Sequence, residues 1–270
     1  MLKQRILTAL VLIPVAIGCL FFLPPVGFAI FVGLVLTIGA WEWANLAGIE
    51  PMGRYAYAIF IAVLLLLSTI FPPHYVLGAG CLWWLVSFFF MQKYPKSTEL
   101  WSGQFAICVI GLFVLVPGFI ALLTLKELVR SGDFLILMLF FLIWGADIGA
   151  YFTGRAFGKH KLAPAVSPGK SWEGFYGGLV VAFSIGVGML LWRGYPDLLE
   201  PIGLIFLAGL VIVIMVSVLG DLVMSMFKRN RGIKDSSNLL PGHGGILDRI
   251  DSLLSAGPVF AFLVLMTGWF

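Results

Sequence analysis

Long, uninterrupted apolar runs separated by short polar or proline-marked gaps set the pattern of this chain. The runs fall near Ile6 to Leu23, Val26 to Leu46, Tyr55 to Phe71, Tyr75 to Met91 and Phe105 to Leu125. Four more follow at Phe134 to Phe152, Phe175 to Trp192, Ile202 to Phe227 and Ile250 to Trp269. A helix needs about 20 mostly apolar residues to cross a bilayer, because lipid satisfies no exposed backbone polar group. Barrel strands would alternate apolar and polar residues over about 10 positions, and these runs do not. The pattern therefore predicts an all-α polytopic membrane protein with about nine transmembrane helices. Pro24-Pro25, Pro72-Pro73, Pro95 and Pro201 fall in the gaps, where a missing backbone N–H does least harm.

Composition agrees with the pattern: 61% of the 270 residues are hydrophobic and 11% charged, with a mean hydropathy of +1.06. The basic, apolar start ending at Cys19 resembles a cleaved leader or a lipoprotein signal, but the chain runs on as FFLPP into another span instead of a polar tether. Cys19, Cys81 and Cys108 lie inside apolar runs without ligand-like spacing and read as small buried hydrophobes. No internal repeat, low-complexity tract or long linker divides residues 1–270 into separate domains.

Charge orients the spans. With the amino terminus inside, alternate loops place 14 of the 17 lysines and arginines on the cytoplasmic side, leaving Lys126, Arg130 and Arg193 opposite. One missed span would scramble that asymmetry. The carboxyl terminus is expected outside. The net charge of +4 follows from the same bias and calls for no nucleic-acid partner.

Three acids, Glu42, Asp147 and Asp221, stand within the spans, where each ionisable group costs about 2.5 to 3.5 kcal/mol on insertion scales. The derived orientation puts all three in the cytoplasmic third of their helices. Asp248 and Asp251 enter from the same side. Glu42, between Trp41 and Trp43, is expected to snorkel to water or to a loop lysine. Asp147 and Asp221 lie about two turns, or about 10 Å, below the interface and need a partner.

The stretch from Ser217 to Ser252 contains nine of the chain's 30 charged groups. Asp221, Ser225 and Lys228 share one helical face at i, i+4 and i+7. Asp248, Asp251, Ser252 and Ser255 do the same on the opening turns of the last span. Hard oxygen ligands of this kind suit Mg2+, which takes one or two carboxylates and fills its other positions with water and phosphate. Between the stripes lie Lys228, Arg229, Arg231 and Lys234, then Pro241, Gly242, His243, Gly244 and Gly245. Cations and close-approaching glycine backbone suit phosphate, so the block fits phosphoryl or nucleotidyl transfer. Taken singly, each part has an ordinary explanation: Asp248 as a helix cap, the basic run as topology signal, GHGG as a turn.

A second polar loop, Gly154 to Gly174, belongs to the same side. Its PGKS ends like a Walker A loop, but Pro164 stands where that motif requires glycine, and an apolar helix precedes it. Ser167, Lys170 and Ser171 remain candidates for phosphate contact. Lys159, Lys161 and Lys170 are equally suited to anionic headgroups.

Together these residues resemble the bacterial phosphatidate cytidylyltransferases, or CDP-diacylglycerol synthases. The family's carboxy-terminal signature is matched by Ser225, Lys228-Arg229, Lys234-Asp235, His243-Gly244-Gly245 and Asp248-Arg249-Ile250-Asp251. The stretch DIGAYFTGRAFGKHKLAPAVSPGKSWEG is similar too, while the first half matches mainly in hydropathy. The resemblance implies an all-helical, homodimeric enzyme of the bacterial inner membrane, condensing CTP with phosphatidic acid with the help of Mg2+ and with room for a second cation. It implies catalytic roles for Asp221, Ser225, Lys228, Arg229, Lys234, Asp235, His243, Asp248, Arg249 and Asp251. Asp221, Asp248 and Asp251 are expected to hold the cations, and Ser167, Lys170, Ser171, Gly244 and Gly245 to contact the nucleotide. Residues 133–270, with cytoplasmic loops 154–174 and 228–249, then form the catalytic part, and residues 1–132 a mainly hydrophobic one. A polyprenol or phytol kinase and an ion-coupled transporter are the alternatives. The kinase would leave CDP instead of pyrophosphate, and a transporter would leave neither product.

Overall fold

The computed structural model describes residues 2–128, 131–195 and 198–268. Its helices are α1 (Leu2–Phe22), α2 (Pro25–Leu46), α3 (Pro51–Ser68), α4 (Pro73–Gln92), the single turn α5 (Thr98–Trp101), and α6 (Gln104–Lys126). Then come α7 (Gly132–Phe157), α8 (Trp172–Arg193), α9 (Pro201–Arg231) and α10 (Leu247–Thr267). Nine of these are long, and among the described residues eight have the length and composition of membrane spans, α1 qualifying only as the shorter apolar helix Leu10–Phe22. Four begin with proline at the first helical position, where its fixed φ is suitable and its missing N–H is not needed: Pro25, Pro51, Pro73 and Pro201.

The loop expected at Gly154 to Gly174 is not irregular throughout. It folds as an antiparallel hairpin of β1 (Lys161–Ala163) and β2 (Ser167–Ser171), pairing Lys161 with Ser171 and Ala163 with Ser167. A backbone standing outside the helices needs its own hydrogen bonds, and the hairpin supplies them.

α7 and α8 are the most intimately packed pair. Side chains in lipid gain little from hydrophobic burial, so close backbone approach takes its place. Gly149 and Gly178 provide that approach: a Cβ on Gly149 would stand 2.9 Å from the Gly178 Cα. α10 packs against α9, α6, α4, α7 and α2, which makes it the hub of the bundle. Trp43 on α2 and Tyr57 on α3 each donate a 2.8 Å hydrogen bond to α6, to the carbonyls of Ile107 and Cys108. α2 and α3 are thus tied to α6 by polar bonds as well as packing, and α6 in turn packs on the hub.

α9 has 31 residues, or about 46 Å of helix against a hydrocarbon core of about 30 Å. The helix is therefore longer than one perpendicular crossing requires, and its last turn is basic. There it meets the end of α2, where Arg231 Nε donates to the Asn45 carbonyl at 3.1 Å. From α1, Thr8 Oγ1 donates to the Pro241 carbonyl at 3.0 Å, so the start of α1 lies at the same end. Lys126, pairing with Asp133, belongs to the opposite end, with Arg193 over the Phe134 ring. Arg130 falls outside the described residues, as do the side chains of Lys3 and Arg5.

Candidate active site

The ends of α7, α9 and α2 and the starts of α8 and α10 carry the polar residues singled out above. On α9, Asp221 and Ser225 face each other one turn apart, the Ser225 hydroxyl donating to Asp221 Oδ1 at 3.4 Å. Across from them the hairpin brings in Lys170, whose Nζ lies 2.6 Å from Asp221 Oδ2. Arg229 Nε makes a second link, to the Val166 carbonyl at 3.3 Å. The two polar loops therefore form one surface. Asp147 on α7 is exposed and lies within electrostatic reach of the Lys170 and Arg249 cations and of the Asp221 carboxylate, a like charge.

Lys228 is buried and sits at the centre of the charge. Its Nζ is 2.7 Å from Asp248 Oδ1, and it also acts electrostatically on Asp221 and Asp251. Asp248 Oδ2 accepts from the Ser236 backbone N–H at 2.8 Å, the Ser236 hydroxyl at 2.9 Å and the Gly245 N–H at 2.9 Å. Asp251, buried one turn later, is in electrostatic contact with Asp221 and accepts from the Ser252 N–H at 2.8 Å. Among the described residues no three acidic, histidine or cysteine side chains converge as a metal cage. Asp221 and Asp251 make one acidic pair, and Asp248 turns to Lys228 and the Ser236–Gly245 loop.

The glycine-rich loop is a tight turn closed by the Leu240–Gly244 pairing, with Gly242 at φ 76° and Gly244 at φ 81°. A side chain at Gly244 would be strained by its φ and would meet Asp248 Oδ2 and Asp235. His243 Nδ1 is buried and has no hydrogen-bond partner among the described residues. Lys234, Asp235, Arg229 and Arg249 are exposed around this turn. Ser167 opens β2 half-buried, and Ser171 closes it. Ser171 is buried and accepts from the Gly174 N–H at 3.1 Å as the cap of α8.

Glu42 departs from expectation. Expected to reach water, it is 0% exposed and accepts hydrogen bonds from Ser236, Ser237, Ile246 and Leu247. A carboxylate inside a span with no cation at helical spacing was the available signal, but the donors lie about 200 residues away in sequence. Glu173 was also missed: it holds the Lys159 and His160 N–H groups and pairs with His160 Nδ1 at 2.7 Å. These residues, with Lys161, Trp172 and Tyr176, line an open cleft of about 650 Å³ beside the hairpin.

A family model described as the cytidylyltransferase family matches residues 3–267. The chain is 50% identical to a phosphatidate cytidylyltransferase of Pseudomonas aeruginosa, across 100% of this chain and 99% of that protein. It is 40% identical to a phosphatidate cytidylyltransferase of Haemophilus influenzae, across 97% and 98%. A third, from Bacillus subtilis, is 34% identical across 97% of both chains.

Proposed function

This chain belongs to the cytidylyltransferase family, and from that premise we propose that it joins CTP to phosphatidic acid. The products are CDP-diacylglycerol and pyrophosphate. A phosphatidic acid oxygen bonds to the α-phosphorus of CTP, and the bond from that phosphorus to the oxygen bridging the β-phosphate breaks. The lipid phosphate is already partly dianionic near neutrality, its second pKa being about 6 for phosphate esters, so no strong base is required. The obstacle is repulsion between two anions, and electrostatic stabilisation is the remedy.

The observation that carries this reading is the 2.6 Å contact of Lys170 with Asp221, which joins the hairpin to the signature helix. It makes one polar surface of two loops distant in sequence. Lys170, Lys228 and Arg229 then balance charge on the transferring group and the departing pyrophosphate, with Lys234 and Arg249 at the rim. Ser225 orients a phosphate oxygen, and the unpartnered Nδ1 of His243 suits a phosphate contact. Asp221, beside the Ser225 hydroxyl, and Asp251, within its electrostatic reach, are oxygen donors of the kind that suits a hard cation such as Mg2+, with Asp248 set apart beside Lys228. When bound there, Mg2+ would supply Lewis-acid neutralisation of the phosphates.

We place this surface on the cytoplasmic side of the bacterial inner membrane, because 14 of 17 basic residues fall on that side and CTP is cytosolic. The reading includes a homodimer. The test is pyrophosphate release by purified protein given CTP, phosphatidic acid and Mg2+, with the lipid product traced from CTP labelled in its α-phosphate. Label in CDP-diacylglycerol is expected. Label in CDP with a phosphorylated alcohol would instead identify a lipid kinase.

A further inference from the structure

We infer that Glu42 is a positioning residue for the reaction, holding Asp248 and Lys228 in place through Ser236 and the opening turn of α10. The inference rests on the proposed role of those two residues in cytidylyl transfer.

α10 begins at an exposed polar loop, yet its N-cap, Ile246, has no side chain able to bond the free N–H groups of the first turn. A carboxylate from α2 serves the first of them, and α10's own Asp248 serves the residue before the cap. Glu42 Oε1 accepts from the Ile246 N–H at 3.0 Å and Oε2 from the Leu247 N–H at 2.7 Å. Asp248 takes the Gly245 N–H. The positive end of the helix dipole thus faces both carboxylates.

Glu42 also reaches the loop before α10. Its Oε1 accepts from the Ser237 hydroxyl at 2.6 Å, and its Oε2 lies 3.1 Å from the Ser236 hydroxyl. That same hydroxyl is 2.9 Å from Asp248 Oδ2, so one fully buried serine stands between the two acids and shares its single proton with both. Gly245 leaves no slack, since a Cβ there would run into Ser236 Oγ and lie 2.5 Å from Glu42 Oε1. Both Glu42 oxygens face backbone N–H groups, which cannot rotate to accept. An amide in place of the carboxylate must point a donor at one of those donors. The bridge to Asp248, and through it to the Lys228 ammonium 2.7 Å away, then loses its fixed end.

Steady-state kinetics of the purified full chain test this, with Glu42→Gln, Ser236→Ala and the double variant each corrected for folded fraction. Glu42→Gln is expected to lower kcat by about 30-fold, as loss of hydrogen bonds to a charged group implies, with KM for CTP and for phosphatidic acid within about twofold. The double variant should be no slower than the slower single one, because both changes cut the same bridge. Should Glu42→Gln fail to fold, Ser236→Ala keeps the question open to measurement, with kcat about tenfold down and KM unmoved. A normal kcat in the folded variants, or losses that multiply in the double variant, overturns the inference. A wild-type protein that releases no pyrophosphate would sink the proposed function instead, before any variant is compared.

Discussion

Lys228 keeps only 10% of its side-chain surface exposed, and its partner Asp248 keeps 5%. A buried pair of this kind is costly to break, because removing one partner strands the other charge. Asp248→Asn should therefore lose turnover and also about 3 to 5 kcal/mol of stability, read by thermal unfolding in detergent. Replacing Lys228 with Met in the same chain should restore much of the stability and none of the turnover. That split separates the structural share of the pair from its chemical share. Lys170 is different, being 27% exposed at its side chain and paired across loops. Lys170→Ala should leave the fold intact and raise the KM for CTP by about tenfold, equal to about 1.4 kcal/mol of binding. An unchanged KM would return the hairpin to a headgroup-binding role.

At the scale of elements, the close pairing of α7 with α8 sets where the hairpin can stand, since the hairpin connects those two helices. Gly178→Val would drive a side chain into the Ala146 carbonyl, which a Cβ alone would approach to 2.5 Å. Overpacking of this kind costs about 1 to 3 kcal/mol and more where backbone must move. The expected result is a lower unfolding temperature together with lost activity, because Lys170 is displaced from Asp221. The same substitution at Gly188, where nothing lies within 4 Å, is the control and should be tolerated. The hairpin itself was not foreseen from the sequence. Its strands are three and five residues long, and SPGKS has little β-propensity of its own.

Across the whole molecule, polar contacts divide the ends of the helices into two sets. α2, α9, α10 and the start of α1 meet at one end, and the Lys126–Asp133 pair marks the other. Single cysteines placed at Lys234 and at Glu200 in a cysteine-free background should therefore react with an impermeant thiol reagent from opposite sides of sealed vesicles. Labelling of both from one side would refute the alternating topology. Tyr57 and Trp43 brace α6, while Glu42 and Asn45 grip the loop before α10, so hydrogen bonds cross the boundary at residue 132.

The sequence by itself determined the membrane class, the helix spans to within a few residues and the family, because bilayer thickness and helical period act on local stretches of chain. It also identified the residues of the signature, whose spacing is local to one loop and two helix ends. Only the tertiary structure decided which acid meets which cation. Asp221 finds Lys170, Asp248 finds Lys228, and Glu42 finds the start of α10, across 51, 20 and about 204 positions of chain. Pairing over such distances depends on how helices pack, and no hydrophobic period encodes it.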